Sequence, residues 1–336
     1  MENKKSKKGL VIFICVLAVV LLSVAGFTVY NHFNPATENQ VAMENDGFSI
    51  NFKSTNTSIS IKGTNKKNQV AVIHVNGTIS SANSTYNQEW IMNAIASAKK
   101  NPKNVAIVLS INSPGGSVYE TDEVYLALQD YKTTGRPVYA YFNQMAASGG
   151  YYMACASDKI YANRNTITGS IGVISGQFLD LTQLFEDYGI NYITIHAGKN
   201  KNMGNYNEKV TQEQINIMQS IADECYEQFT LIVSNARNLP YNDVKKLADG
   251  RVYTAKQALQ NGLIDHICSF DDMMEDIEDD LEVEISPVHY SYAKKQTFVE
   301  SLMGKINGVD KEASALDKLY AEIKEFDQYP AYLYRQ

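Results

Sequence analysis

The sequence predicts an α/β protein, a parallel sheet covered by helices, carried behind an amino-terminal transmembrane helix. Two observations predict the globular part. Apolar runs of strand length alternate with helix-length segments, and those runs are apolar at nearly every position, as strands buried on both faces require. A third predicts the membrane helix: residues 9–30 carry no charge and are long enough to cross a hydrocarbon core of about 30 Å as a helix.

From residue 69 onward, strand-like runs at 70–75, 105–111 and 138–142 are separated by helix-like segments at 89–99 and 117–131, and a third helix opens at Ser148. Further strands are expected at 160–162, 170–174 and 192–196, with a helix at 181–188. Thr211-Gln212-Glu213-Gln214 and Thr254-Ala255-Lys256-Gln257 have capping-box form, a hydroxyl followed three residues later by a side chain that reaches back. Each therefore starts a helix, a long one toward Ala236 and a short one stopped by Gly262. Residues 31–68, rich in Asn, Thr, Ser and Lys, read as a tether holding the body off a membrane. The chain thus divides into a cytoplasmic segment 1–8, a transmembrane anchor 9–30, a tether 31–68, a core 69–272, and a C-terminal appendage and tail 273–336.

With 44% hydrophobic and 20% charged residues in 336, the chain can bury a full core. Lys4, Lys5, Lys7 and Lys8 against Glu2 give the first eight residues +3, and removing that from the net −7 leaves −10 for the rest. An acidic body lacks the basic face that nucleic acid requires, so no nucleic-acid partner is expected. Lysines before the apolar stretch place the amino terminus in the cytoplasm and the body outside the cytoplasmic membrane. A cleaved secretory signal shares that charged start, and Ser23-Val24-Ala25 is the nearest thing to its cleavage site. Cys15 lies in the apolar stretch, which leaves Cys155, Cys225 and Cys268, an odd and widely spaced set. They imply neither a disulfide framework nor a metal pair, and buried single cysteines are expected. Residues 271–284 hold nine acidic side chains among Met, Ile, Leu and Val. That is the pattern of a solvated helix face, without the glycine turn of a calcium loop.

Three small-residue junctions fall where strands end, the place where open α/β sheets build their sites. Asn112-Ser113-Pro114-Gly115-Gly116 offers two glycines whose N–H groups can point into a cleft as an oxyanion hole, although Pro-Gly is also an ordinary turn. Gln144-Met145-Ala146-Ala147-Ser148-Gly149-Gly150-Tyr151-Tyr152 sets a serine at a helix amino terminus, where unsatisfied N–H groups favour developing negative charge. Ser148 is then either a nucleophile, with Gly149 N–H joining that of Gly115 or Gly116, or simply an N-cap. In Thr166-Ile167-Thr168-Gly169-Ser170-Ile171-Gly172-Val173, the hydroxyls of Thr168 and Ser170 are candidates to hold a base in line, or the run is a glycine-bent strand.

A serine hydroxyl needs a base. His196 follows an expected strand, so a Ser-His-Asp arrangement stays open on spacing. His74 and His266 sit in apolar runs, His32 beside the membrane stretch and His289 in the appendage. Lys199 and Lys201, after Gly198, are the other option, since a lysine acts as a base once burial leaves its amine neutral.

Together these junctions resemble the signal peptide peptidase A family of serine-lysine proteases, in its short single-core form. The matches are Ser113-Pro114-Gly115-Gly116, Met145 through Tyr152, Thr168 through Val173, and Ala248-Asp249-Gly250-Arg251-Val252-Tyr253 followed by Gly262-Leu263-Ile264-Asp265. They span roughly 70–272. The resemblance implies a core of the Clp protease/crotonase-like fold, Ser148 as nucleophile, and Ser170 as the hydroxyl that positions a lysine. It also implies a base in a Gly-x-x-Lys run, here Gly198-Lys199-Asn200-Lys201, which selects Lys201. Asn202 departs from the acidic or small polar residue that often follows. The short form further implies a ring-shaped homo-oligomer whose dyad is shared between subunits.

The expected function is a membrane-anchored endopeptidase that degrades signal-peptide remnants and other short apolar peptides, without metal or organic cofactor. Two rivals are a crotonase-like acyl-CoA enzyme, whose fold uses similar paired amides, and a non-catalytic peptide-binding scaffold. The tail at 330–336, extended by its proline and apolar by its aromatics, is expected either to occupy a peptide groove as a self-ligand or to lie on the surface.

Overall fold

The structure, a computed structural model, describes residues 40–44, 47–53, 57–64, 68–294 and 331–333. The expected cytoplasmic segment, the transmembrane helix at 9–30 and His32 lie outside the described residues. Among those described, no helix is long and apolar enough to cross a membrane.

The core is a mixed sheet with helices on both faces. Its parallel half comprises β4 (Gln69–Asn76), β5 (Asn104–Ser113), β7 (Val138–Ala147), β8 (Lys159–Ala162) and β11 (His266–Ile267), adjacent in that order. On β4, Val70 and Val72 face one cluster while Ala71, Ile73 and Val75 face another. Burial on both sides is why these runs are continuously apolar rather than alternating. One face is covered by α1 (Gln88–Lys100), α2 (Val118–Lys132), α3 (Gly149–Ala154) and α5 (Gln212–Arg237). The Asn87 side chain caps α1 at Trp90 N–H, and Trp90, Ile91, Ala94, Ile95 and Ala98 form its buried stripe at helical spacing. The acidic segment forms α8 (Phe270–Leu281) on the other face: Met273 and Ile277 are buried, while Asp276 and Asp280 pair with Lys159. Among the described residues, Cys155, Cys225 and Cys268 form no disulfide, and Cys155 is buried. This mixed α/β core with its largely parallel sheet fits the Clp protease/crotonase-like fold.

Strands also form outside the expected core. Within the segment read as a tether, β1 (Gln40–Glu44), β2 (Gly47–Lys53) and β3 (Thr57–Thr64) form antiparallel pairs. Within the segment read as an appendage, β12 (Ser286–Lys294) runs parallel beside β4 and antiparallel to β3, so it joins the two halves of one sheet. β3 and β12 complete each other across more than two hundred residues, and polar composition hid the alternation of Phe48, Ile50 and Phe52. The expected strand at 170–174 lies instead at β9 (Ile167–Gly169), paired with β7 and with β10 (Val252–Thr254). Residues 192–196 form no strand. The remaining helices are α4 (Thr182–Asp187), α6 (Tyr241–Leu247) and α7 (Ala255–Gln260). Both expected capping boxes form, at Thr211 for α5 and at Thr254 for α7.

Candidate active site

All parallel strands end on one edge of the sheet, and the loops leaving β4, β5 and β7 there bring the first two junctions together. At the end of β7 the chain turns through Ser148 at φ 53° and ψ −117°, directly into α3. An L-residue rarely adopts that backbone conformation, and such strain clusters at functional sites. It is held by Ser148 N–H donating to Gly169 O at 2.7 Å, and by Tyr152 N–H donating to Ser148 O. Tyr151 and Tyr152 are buried, and their hydroxyls are anchored on Leu263 O and on the Asp122 carboxylate. Ser148 is 1% exposed, and its Oγ has no hydrogen-bond partner among the described residues. It makes no side-chain cap, which removes the N-cap explanation. Leaving a buried hydroxyl unpaired costs about 1–3 kcal/mol, so a group from elsewhere is expected to meet it.

The glycines close around this hydroxyl. A Cβ on Gly149 would stand 3.3 Å from Gly116 N and 2.6 Å from Thr121 Oγ1, so only glycine brings the two backbones so close. A Cβ on Gly116 would fall 1.9 Å from Ile79 O. Strand β6 (Gly115–Ser117) lies along Ile79: Ile79 N–H donates to Gly115 O and Ser117 N–H to Ile79 O. The amides of Gly149, Gly150 and Tyr151 precede the first bond of α3, from Tyr152 N–H to Ser148 O, and have no backbone acceptor among the described residues, as donors that can serve an anion. The two glycines of the first junction differ, however. Gly115 N–H is engaged by Ser113 Oγ at 3.1 Å. Gly116 is thus the better-placed partner for Gly149.

The third junction sits alongside. Pairing of Ala147 with Gly169 sets Ser170 next to Ser148, and Ser170 also has positive φ, at 50°. Its N–H donates to Arg251 O, and Tyr253 packs against Gly169, where a Cβ would be 2.6 Å from the ring. The 248–253 motif therefore supports Ser170. Thr168 is spent differently, its hydroxyl donating to Ala146 O. The Gly262-to-Asp265 motif fixes the elbow from below: Leu263 O takes the Tyr151 hydroxyl, and Asp265 accepts from Ile160 N–H and the Arg237 guanidinium.

The candidate bases are not brought to Ser148 within one chain. Lys201 is exposed, on a turn closed by its N–H to Gly198 O. Lys199 pairs with the Glu213 carboxylate and thereby lowers that carboxyl's pKa. His196 is exposed and bonds Gly198 O. His74 bonds His289 across β4 and β12 within the sheet, and His266 stacks on Tyr161 at the β11 edge. Among the described residues, no cluster of three or more metal-ligating side chains occurs.

Sequence reasoning gives Ser113 no role of its own and misses Ile79, although both hold the glycine loop. Serine just ahead of Pro-Gly is a turn signal that points to the first; Ile79 becomes visible only once β4 and β5 are paired. One further feature bears on the site. β13 (Ala331–Leu333) pairs antiparallel with β6, with Tyr332 opposite Gly116.

Comparison with known proteins gives a consistent answer. The model of peptidase family S49 matches residues 130–284. A putative signal peptide peptidase of Enterococcus faecium is 35% identical over 222 residues, covering 64% of this chain and 63% of that one. A putative protease of Synechocystis is 34% identical over 209 residues, 62% of this chain and 73% of its own. Protease 4 of Haemophilus influenzae is 32% identical over 217 residues, 64% of this chain but 35% of the longer relative. The matches thus span less than two thirds of the Enterococcus protein and about a third of the Haemophilus one. With the buried serine elbow, the facing glycines and the four motifs in their order, these matches identify the chain as a member of peptidase family S49, the signal peptide peptidase A family.

Proposed function

We propose that the protein is a serine endopeptidase in which Ser148 is the nucleophile, Lys201 of a neighbouring copy is the general base, and the amides of Gly116 and Gly149 form the oxyanion hole. The observation that carries this reading is the unpaired Ser148 hydroxyl, buried on a strained strand-to-helix elbow beside two close backbone amides. In the reaction, a neutral lysine amine takes the Ser148 proton while Oγ attacks the peptide carbonyl, and the two amides receive the charge on the carbonyl oxygen. The resulting ammonium returns its proton to the leaving amine. Water then hydrolyses the acyl-enzyme with the lysine again as base. Ser170, beside Ser148, accepts a hydrogen bond from the amine and holds it in line. Lysine is a base only when covered, and Lys201 is exposed in the single chain. Assembly supplies the cover, and the proposed assembly is a ring of identical subunits on the outer face of the cytoplasmic membrane, anchored through 9–30.

Peptides are the proposed substrate class, signal-peptide remnants and other short apolar segments among them. The β6 edge already takes an extended backbone, Ala331–Leu333, in the antiparallel manner of strand addition. In this reading the tail competes with substrate for that edge. The test is peptide hydrolysis and fluorophosphonate labelling of the full chain beside Ser148→Ala and a chain ending at Tyr329. Ser148→Ala is expected to lose both signals, and the shortened chain to cleave faster at low substrate. Labelling that survives Ser148→Ala would refute the nucleophile.

A further inference from the structure

We propose that Ser113 is a positioning residue for catalysis, its buried hydroxyl holding the Gly116 amide in the orientation that meets the oxyanion. The inference rests on the serine peptidase reading above and assigns to Ser113 a role beyond it.

The reasoning starts from the loop itself. Two adjacent glycines have wide conformational freedom, with φ of 102° at Gly115 and 158° at Gly116. The peptide plane between them can therefore turn over at little steric cost unless it is pinned. In a planar trans peptide the N–H of one residue points opposite to the C=O of the residue before. Gly115 C=O accepts from Ile79 N–H at 2.8 Å, which directs Gly116 N–H away from Ile79. Gly149 lies close to that nitrogen, its Cβ position 3.3 Å away. Catalysis needs this arrangement at every turnover, and once substrate displaces the tail from β6, the backbone bonds left to hold the two glycines are those of Ile79 N–H to Gly115 O and of Ser117 N–H to Ile79 O.

Ser113 supplies the second pin. It is fully buried. Its Oγ donates to Gly77 O at 2.6 Å and accepts from Gly115 N–H at 3.1 Å. One hydroxyl thus ties the loop after β4, which turns through Gly77 at φ 74°, to the loop after β5. With it, Gly115 is held at both its N–H and its C=O, and the plane that carries Gly116 N–H cannot rotate freely. The same residue borders the nucleophile side: a Cβ on Gly150 would stand 3.2 Å from Ser113 O. Ser113 touches no reacting atom in this arrangement; it acts through Gly115 and Gly116. Alanine cannot replace it, because it would free Gly115 N–H to seek another acceptor and leave Gly77 O unpaired.

The experiment compares Ser113→Ala and Ser113→Cys with the parent full-length chain, measuring kcat and KM on one peptide, inhibition by a peptide boronic acid, melting temperature and oligomer size. The boronate forms a tetrahedral adduct on the serine, so its affinity reports the oxyanion site. Losing a whole oxyanion donor costs about a hundred- to a thousandfold in kcat. Misaligning one in Ser113→Ala is expected to lower kcat by about ten- to a hundredfold, with KM within about twofold and boronate affinity falling in parallel. Ser113→Cys, which keeps a weak donor and acceptor in nearly the same volume, should fall between the parent and alanine, and it carries the test should Ser113→Ala fold poorly. Unchanged kcat in both variants, or a loss confined to KM or to assembly, overturns the proposal. Ser148→Ala in the same assay separates the two levels: if it keeps parental activity, the peptidase reading itself fails, and if it is dead while the Ser113 variants are normal, only the positioning role fails.

Discussion

The two parts of the proposed dyad stand on opposite kinds of structure. Ser148 is set by the most buried part of the chain, where β4, β5, β7 and α3 carry residues such as Val72, Leu109, Ala146 and Tyr151 at 0% exposure. Lys201 sits at the end of an arm in which no residue from Gly172 to Lys201 is buried. The arm is far from polar: Tyr188, Ile190, Tyr192, Ile193 and Ile195 are all exposed, Ile195 at 96%. Its internal order comes from a small aromatic cluster of Phe185, Tyr192 and Tyr206. The core half is therefore complete in a single chain, while the arm offers an apolar surface and a lysine that have nothing of their own to meet. Exposed apolar side chains of this size commonly belong to interaction surfaces. In the proposed reading, this difference makes the protomer half an active site, preorganised on the serine side and completed by a neighbour on the lysine side.

The largest effect is expected where the two halves are separated by mutation. Ser148→Ala and Lys201→Met are each expected to abolish peptide hydrolysis. Subunits of the two variants mixed one to one should regain activity, at about a quarter of the sites for random assembly in a closed ring. Recovery would place the lysine and serine of a working site in different chains, whereas silence in the mixture, with intact rings, would place them in one chain and break the comparison. Activity in Lys201→Met alone would transfer the base to Lys199 or His196.

A smaller effect is expected from the arm's surface alone. Burying an isoleucine is worth about 1.5–3 kcal/mol. Ile195→Glu should therefore reduce oligomer size at a given concentration, and activity with it, while the melting transition of the protomer stays nearly unchanged because the side chain touches so little of its own chain. Native mass and a thermal melt check this. Unchanged size and activity would show that the arm packs elsewhere.

How much of this could be read in the sequence follows the same division. The serine side was legible because its signals are local: a strand, a run of small residues, a helix, and capping boxes at Thr211 and Thr254 that form as the pattern requires. A third box, Ser269 with Asp272, has the same form and starts α8. The arm was misread, its apolar residues at 192–196 suggesting a strand, because apolar patterning records that a surface is to be buried without saying by which chain. Lys201 was picked out by resemblance, since an exposed lysine carries no local signal. The strands β1 to β3 were hidden by their polar composition, although β1–β2 and β2–β3 pair locally, and β12 because its partners β3 and β4 are remote in sequence. Ser113 was quoted as part of a motif, yet its two hydrogen bonds reach Gly77 across a neighbouring strand, which no spacing rule reveals.

The smallest expected effect reports on the core half alone. His74 on β4 and His289 on β12 face each other, with Nε2 and Nδ1 3.0 Å apart and the rings stacked. One neutral ring must donate and the other accept. Burial lowers the pKa of both imidazoles, and the charge of His289 lowers that of His74 further. A folded-state pKa below the unfolded value of about 6.5 means that the unfolded chain binds more protons in the interval between them. Stability from this pair is therefore full above about pH 6.5 and is lost as pH falls toward the lowered values. Because β12 joins β3 to β4, the loss should appear as a melting temperature a few degrees lower at pH 5.5 than at pH 7.5. His74→Asn with His289→Asn should flatten that dependence. The pair lies on β4 and β12 and not on the arm, so oligomer size should not follow the same curve. A pH slope that survives the double substitution, or an assembly that dissociates in step with the melt, would tie the two halves together more closely than their burial indicates.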